Sequence, residues 1–225
     1  MRFVYLLVLL FSYRAVFAQV KTLDPLSDTT FWYKLKQTDR NKIGLKDLAR
    51  SRDSFYIRFW MENQAVEIWT NDFKTFGGKL SIHTEKVGTR YSNAEISGRK
   101  QFFSTIKNLD TSLSRIIYQY FLMSSIIDIP TEKRIQGWEK GDDGTELILE
   151  TATPTTYSFK TFWSPEMQRG LPQAGKVTNL FKTLDSTLKL NNQWKRFLSS
   201  LPEGWYRYGE IALRHNPIFK RSKEK

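Results

Sequence analysis

From Phe55 to Met61 the odd positions are Phe, Ile, Phe and Met, while the even ones are Tyr, Arg and Trp. A repeat of two sends alternate side chains to opposite faces of an extended chain. This stretch therefore reads as a strand with one apolar and one amphipathic face. Glu62-Asn63-Gln64 turns the chain, and Val66, Glu67, Ile68 and Trp69 resume the pattern, which predicts an antiparallel hairpin. Asn71-Asp72 and Gly77-Gly78 mark a second turn before another alternating run, Lys79 to Thr84. A fourth strand is expected up to about Lys107, then a helix capped near Asp110 and running to about Ile126. Pro130 bars its continuation, because the residue before a proline is pushed out of helical geometry.

Thr145 to Thr151 and Tyr157 to Trp163, separated around Pro154, predict a second hairpin. Val177, Leu180, Phe181, Leu184 and Leu188 recur at helical spacing, as do Trp194, Phe197, Leu198 and Leu201. Trp205 to Leu213 predicts a last strand. Ahead of Phe55 the signals are weaker. Gln19 to Thr30 reads as loop, Phe31-Trp32-Tyr33 as an aromatic anchor, and Leu45, Leu48 and Ala49 with Lys46 and Arg50 as one amphipathic turn. The order of elements is that of an α+β fold. A mainly antiparallel sheet of about five to seven strands is expected, covered on one face by two to three helices.

Positions 3–11 form an apolar stretch after Met1-Arg2, too short for a membrane span of about 20 residues. With the small residue closing Val16-Phe17-Ala18, it reads as a signal peptide over residues 1–18, leaving Gln19 as the new N-terminus. The expected address is therefore the periplasm or the extracellular space, with no transmembrane span after cleavage. The chain has 225 residues and no cysteine, so disulfides, thiolate metal sites and cysteine nucleophiles are excluded and stability must come from packing. Residues 19–213 are expected to form a single domain, and 214–225 a basic tail.

The net charge of +12 is unevenly spread. Between Lys34 and Arg52 the basic residues, among them Lys42, Lys46 and Arg50, face only Asp39 and Asp47. The tail adds Arg214, Lys220, Arg221, Lys223 and Lys225 against Glu224. Such clusters attract anionic lipid or polysaccharide, an attraction that salt screens over about 8 Å at physiological ionic strength.

Chemistry-bearing patterns are sparse. His83 and His215 lack the spacing of a zinc pair, and no cofactor or metal site is expected. No Gly-x-Ser-x-Gly and no complete phosphate loop occurs. The densest acidic stretch contains Asp142, Asp143, Glu146 and Glu150, candidate acid and base groups for an envelope hydrolase if two of them meet across a cleft. It lacks calcium-loop spacing, and Asp142-Asp143-Gly144 also reads as a plain turn in which Gly supplies a positive φ. Tyr56, Arg58 and Trp60 share one strand face and would form a stacking platform for sugars or bases if that face were open. Export disfavours nucleic acid as the partner.

Ile129-Pro130-Thr131, Ile135-Gln136-Gly137-Trp138, Asp143-Gly144-Thr145, Glu150 and the run Tyr157 to Pro165 together resemble a pattern in small exported bacterial proteins of uncharacterised function. The resemblance spans about 40 of the 225 residues and implies a hairpin-plus-helix module, with no activity attached. The leading expectation is an exported, non-enzymatic domain that binds an anionic envelope or extracellular partner. The alternative is the hydrolase.

Overall fold

The structure, a computed structural model, describes residues 21–29, 31–87, 101–141, 143–209 and 211–216. Residues 1–18, which read as a signal peptide, Asp142 and the residues beyond 216 lie outside the described residues. Among the described residues the fold is α+β, with nine strands in a mostly antiparallel sheet.

At its centre β2 (Phe55–Met61) pairs with β3 (Gln64–Thr70) on one side and β6 (Glu146–Ala152) on the other. β7 (Thr156–Trp163) pairs with β6, and the two-residue β1 (Thr22–Leu23) lies parallel to β7 at that edge. Beyond β3 come β4 (Phe76–Val87) and then β5 (Phe102–Leu109). Past the β2–β3 turn, Lys86 and Val87 of β4 pair with β8 (Gly204–Tyr208), which forms a hairpin with β9 (Ile211–His215).

The strand count exceeds five to seven for local reasons. β1 is too short to show a period, and Gly209, at φ 54°, breaks what the sequence offers as one strand into two. Arg214 and His215 belong to β9, so the ordered domain continues beyond 213.

One face of the sheet carries the larger core. Ile57, Phe59, Val66, Ile68, Leu80 and Leu149 pack against Ile117 and Phe121 of α2 (Thr111–Met123) and Val177, Leu180 and Leu184 of α3 (Pro172–Leu188). Trp194 and Phe197 of α4 (Leu190–Ser200) complete it. The α2 N-terminus is where the sequence puts it: the Asp110 carboxylate accepts from the Leu113 amide at 2.8 Å. Phe121 meets Phe59 edge-on at 6.2 Å, and truncating such a buried ring costs about 3–5 kcal/mol.

The opposite face is also covered, which corrects the expectation of a one-sided sheet. Tyr56, Trp60, Ala65, Ile148, Tyr157 and Phe159 form a second core with Trp32 and Tyr33 of α1 (Phe31–Ile43) and with Leu48 of a short 3-10 turn. Phe31 to Tyr33 is thus the first turn of a helix, whose Trp32 and Tyr33 anchor it on this core. Tyr33, Lys36, Gln37 and Arg40 recur at helical spacing and lie over Glu150, Tyr157 and Phe159. Their inward face is made of long side chains with polar ends, so an apolar period does not reveal it.

Candidate functional site

The face beneath α1 carries two polar assemblies. In the first, the register sets Arg58 opposite Glu67 on β3 and opposite Glu150 on β6. Its guanidinium stands 2.7 Å from Glu67 Oε1 and 3.1 Å from Glu150 Oε1, and it donates to the Lys46 carbonyl at 2.7 Å. The Tyr56 hydroxyl donates to Glu67 at 2.9 Å; Trp60 Nε1 and the Tyr157 hydroxyl donate to Glu150 at 2.6 and 2.8 Å. Lys79 reaches Glu67 Oε2 at 3.2 Å, so two cations balance two carboxylates. Burial and the adjacent carboxylates push both tyrosine hydroxyls up, keeping them as donors.

This assembly is closed. Arg58 and Trp60 are 0% exposed and Tyr56 2%, so the open stacking platform envisaged for sugars or bases is not formed. The neighbouring ring Trp69 stacks on Tyr56 at 5.6 Å, and α1 seals the rest.

The basic segment is largely neutralised within the molecule. Lys42 pairs with Glu85, Lys46 with Asp53, and Arg40 with Asp47 at 3.0 Å. Exposed Arg50 approaches Asp47 at 3.8 Å. These contacts use acids that are remote in sequence as well as near ones, which a local charge count cannot pair.

The second assembly surrounds a cavity of about 380 Å³ at the end of the sheet marked by the β2–β3 turn. Trp32, Leu35, Asp39 and Lys42, one helical stripe of α1, form a wall. His83, Thr84 and Glu85 of β4 and Phe102 of β5 face it, with Glu146 and Trp163, cross-strand partners on β6 and β7, at one side. Asn63 buckles the floor: its amide donates to the carbonyls of His83 and Arg207 at 2.8 and 3.0 Å and accepts from the Gly209 amide at 2.7 Å.

Two residues in this cavity have side-chain atoms without an internal hydrogen-bond partner. His83 is 5% exposed, its ring stacked against Phe102 at 5.8 Å; Nε2 lies 3.8 Å from Asp39, and Nδ1 has no hydrogen-bond partner. Burial holds His83 below its ordinary value, so the ring is neutral at pH 7. Burial pushes Asp39 up, but the bonds from His83 and Lys36 outweigh it and keep the carboxyl low. Glu146 is half-buried, yet both its carboxyl oxygens are hidden from solvent and unbonded. Burial, and then the charge of Glu132, push it up to about 8, so it is a neutral acid at pH 7.

Of the sequence-proposed carboxylates, Glu146 alone lines this cavity. Glu150 is held in the closed network, Asp143 is exposed, and Asp142 lies outside the described residues. The turn before β6 also has a different cause from the one its residues suggest. Gly144 does not have a positive φ; a Cβ there would stand 2.6 Å from the Trp163 ring and collide with Ser164 Oγ. Trp138 Nε1 donates to the Trp163 carbonyl at 3.0 Å, so the Gly-Trp and Trp-Ser-Pro positions of the resemblance brace each other. The pairing of His83 with Asp39 escapes sequence reading because neither stands in a motif and one belongs to the unforeseen helix.

Among the described residues no group of three or more His, Asp or Glu is placed to hold a metal, and no helix is long and apolar enough to cross a membrane. No protein-family model matches the chain, and no curated protein matches it significantly.

Proposed function

We propose that the chain is an exported, non-enzymatic binding domain of the envelope or extracellular space that holds a short glycan in the cavity between α1 and the sheet. One observation carries this reading: His83 Nδ1 and the Glu146 carboxyl, without internal partners, share a cavity with the rings of Trp32, Phe102 and Trp163, and with Phe31, 68% exposed, on its lining. The C–H face of a sugar ring packs on such aromatics, while its hydroxyls meet the imidazole nitrogen and the carboxyl, which lie just beneath the lining and are reached by a shift of the covering side chains. A volume of about 380 Å³ suits a small ligand, whose sites span about 300–1,000 Å³. The export part rests on residues 1–18 and on the resemblance. Attraction to an anionic lipid or polysaccharide then stems from the overall charge, +12 for the full chain and +10 once Arg2 and Arg14 are removed with residues 1–18, since Lys42 and Lys46 are paired within the molecule.

The test is titration with neutral, amino and acidic oligosaccharides, read by tryptophan fluorescence and calorimetry. A binder is expected whose affinity falls about tenfold or more in Trp163→Ala or His83→Gln, because a polar group built to meet a hydroxyl discriminates strongly. If no oligosaccharide binds, or if both variants bind as the parent does, the reading is wrong. Export is tested by sequencing the N-terminus of the protein recovered from outside the cytoplasm, where Gln19 is expected.

The protonated state of Glu146 favours a second reading. A neutral carboxyl in the cavity that holds the ionised Asp39 is the pairing of acid and base on which glycoside hydrolysis relies. On that reading a bound oligosaccharide is cleaved and Glu146→Gln abolishes turnover while binding survives. A bound sugar recovered intact assigns the cavity to binding alone.

A further inference from the structure

The environment of His83 gives its ring a direction. A neutral imidazole carries one N–H donor and one lone pair, on different nitrogens. Asp39 Oδ2 stands 3.8 Å from Nε2, and an ionised carboxylate only accepts, so it draws the single proton to Nε2. The ring faces Asp39 and Lys36 of α1 and Glu85 of its own strand, and burial at 5% exposure keeps it neutral among them. The lone pair is thereby left on Nδ1, which has no donor within the protein. Phe102 stacks on the ring at 5.8 Å and Trp60 meets it edge-on at 6.1 Å, which fixes its plane.

The charges on the lining cancel. Lys36 pairs with Asp39 at 3.3 Å and Lys42 with Glu85, and all four residues line the cavity. Exposed Arg207 and half-buried Glu62 add one charge of each sign. No surplus charge is left to meet an ionic ligand. A sugar carboxylate only accepts, and would set its oxygens against the Nδ1 lone pair. An ammonium would donate, but it would carry a cation into a chain whose net charge is already +12. A hydroxyl donates and accepts without charge.

We infer that the cavity selects an uncharged sugar, and that His83 sets this selection by accepting at Nδ1 a hydrogen bond from one ligand hydroxyl while Asp39 holds the ring proton on Nε2. The inference rests on the glycan reading and adds a substrate class and a hydrogen-bond direction to it. His83 is then a specificity-determining residue: a buried acceptor rejects any ligand that brings no donor to it.

Two measurements on the full chain test this. The first needs no ligand. With nitrogen-15 in its histidines, long-range proton–nitrogen correlation spectra read which ring nitrogen is bare; the chain has two histidines, so His215→Gln assigns the signals. For His83 a protonated Nε2 and a bare Nδ1 are expected. The second is calorimetric titration with maltose, cellobiose and mannobiose as neutral probes, digalacturonate as the acidic one and the glucosamine disaccharide as the amino one. A neutral probe should bind at least about tenfold more tightly than either charged one. Among its monodeoxyfluoro derivatives, in which a fluorine that cannot donate replaces one hydroxyl, one should lose about tenfold or more. In His83→Phe that derivative and its parent sugar should bind within about twofold of each other, because the acceptor that tells them apart is gone.

A proton on Nδ1, a charged disaccharide bound as tightly as the neutral ones, or fluoro derivatives that all bind like their parent overturns the inference and leaves the glycan reading standing, since a sugar has bound. A fluorine penalty that persists undiminished in His83→Phe does the same. If no disaccharide binds, both fall together. The spectra and the fluoro series use the unaltered binding site, so the outcome stands even where His83→Phe does not fold.

Discussion

Arg58 and His83 stand on the same face of the sheet, beneath the same helix, at 0% and 5% exposure, and they meet opposite fates. Around Arg58 two cations, two carboxylates, two phenols and an indole close on one another into a neutral assembly in which Glu67 Oε2, which lacks a hydrogen bond, still meets the Lys79 ammonium at 3.2 Å. Around His83 the protein leaves an imidazole nitrogen and a whole carboxyl unmatched next to a void. Burying polar atoms is costly in both places, and only the first place recovers the cost internally. The difference separates framework from site: a satisfied cluster has no remaining capacity for a ligand, and an unsatisfied one beside space does.

The contrast breaks most visibly at Arg58. Arg58→Met leaves Glu67 and Glu150 buried without their central cation, and a loss of about 3–5 kcal/mol is expected in urea unfolding. A loss below about 1 kcal/mol would mean that the network is not a framework element and that the comparison has no basis.

Glu146 should produce the next largest effect, and one that depends on pH. Its folded value of about 8 exceeds the ordinary 4.5. Between those limits the folded protein keeps a proton that the unfolded chain has lost, so this group makes stability fall as pH rises, by at most about 1.4 kcal/mol per pH unit. Glu146→Gln should remove that decline and leave the variant more stable than the parent at pH 8. His83 tilts the other way. Its value is depressed, so below its ordinary 6.5 the unfolded chain takes up a proton that the folded one resists, and stability drops as pH falls. Below 6.5 the two slopes oppose each other, so His83→Gln should leave the Glu146 decline running unopposed from about 4.5 to about 8. Parallel pH profiles for parent and both variants would show that these groups are solvated in solution and that the cavity is not as built.

The same contrast explains what could be read from the sequence. The strands β2 to β7, the Asp110 cap and the helices α2 to α4 were legible because each turns an apolar face to the larger core, where hydrophobic period and packing coincide. On the other face that coincidence fails. α1 rests on a bed of charged and hydroxylated side chains, so its inward stripe of Tyr33, Lys36, Gln37 and Arg40 looks like a solvated surface. With the helix missed, Asp39 could not be placed near His83, and Arg58 looked like an exposed guanidinium between open rings. The acids that quench Lys42 and Lys46 are distant or belong to other elements, so the local excess of charge read as a binding patch.

Tyr157→Phe offers a finer probe of the closed side. It removes one donor from Glu150 while Arg58 and Trp60 keep theirs, so a loss of about 1–2 kcal/mol is expected, well short of the Arg58 effect. A loss equal to that of Arg58→Met would make the hydroxyl, and not the charge pairing, the keystone of the network.

The smallest effect tests whether the basic segment belongs to the framework or to a binding surface. Lys42 and Lys46 are 40% and 45% exposed in their side chains, so their ion pairs are screened surface contacts. Replacing both by Gln should cost under about 1 kcal/mol of stability. A patch laid against an anionic membrane would lose about 1 kcal/mol of affinity per lysine, roughly thirtyfold for the two. Charges already facing Glu85 and Asp53 should lose far less, because removing each lysine also releases a carboxylate that repels the surface. Sedimentation with anionic vesicles at low salt distinguishes these outcomes: a drop near thirtyfold returns the segment to the role its composition suggests, and a drop within a few fold keeps it as the clasp that ties α1 and the following turn to the sheet.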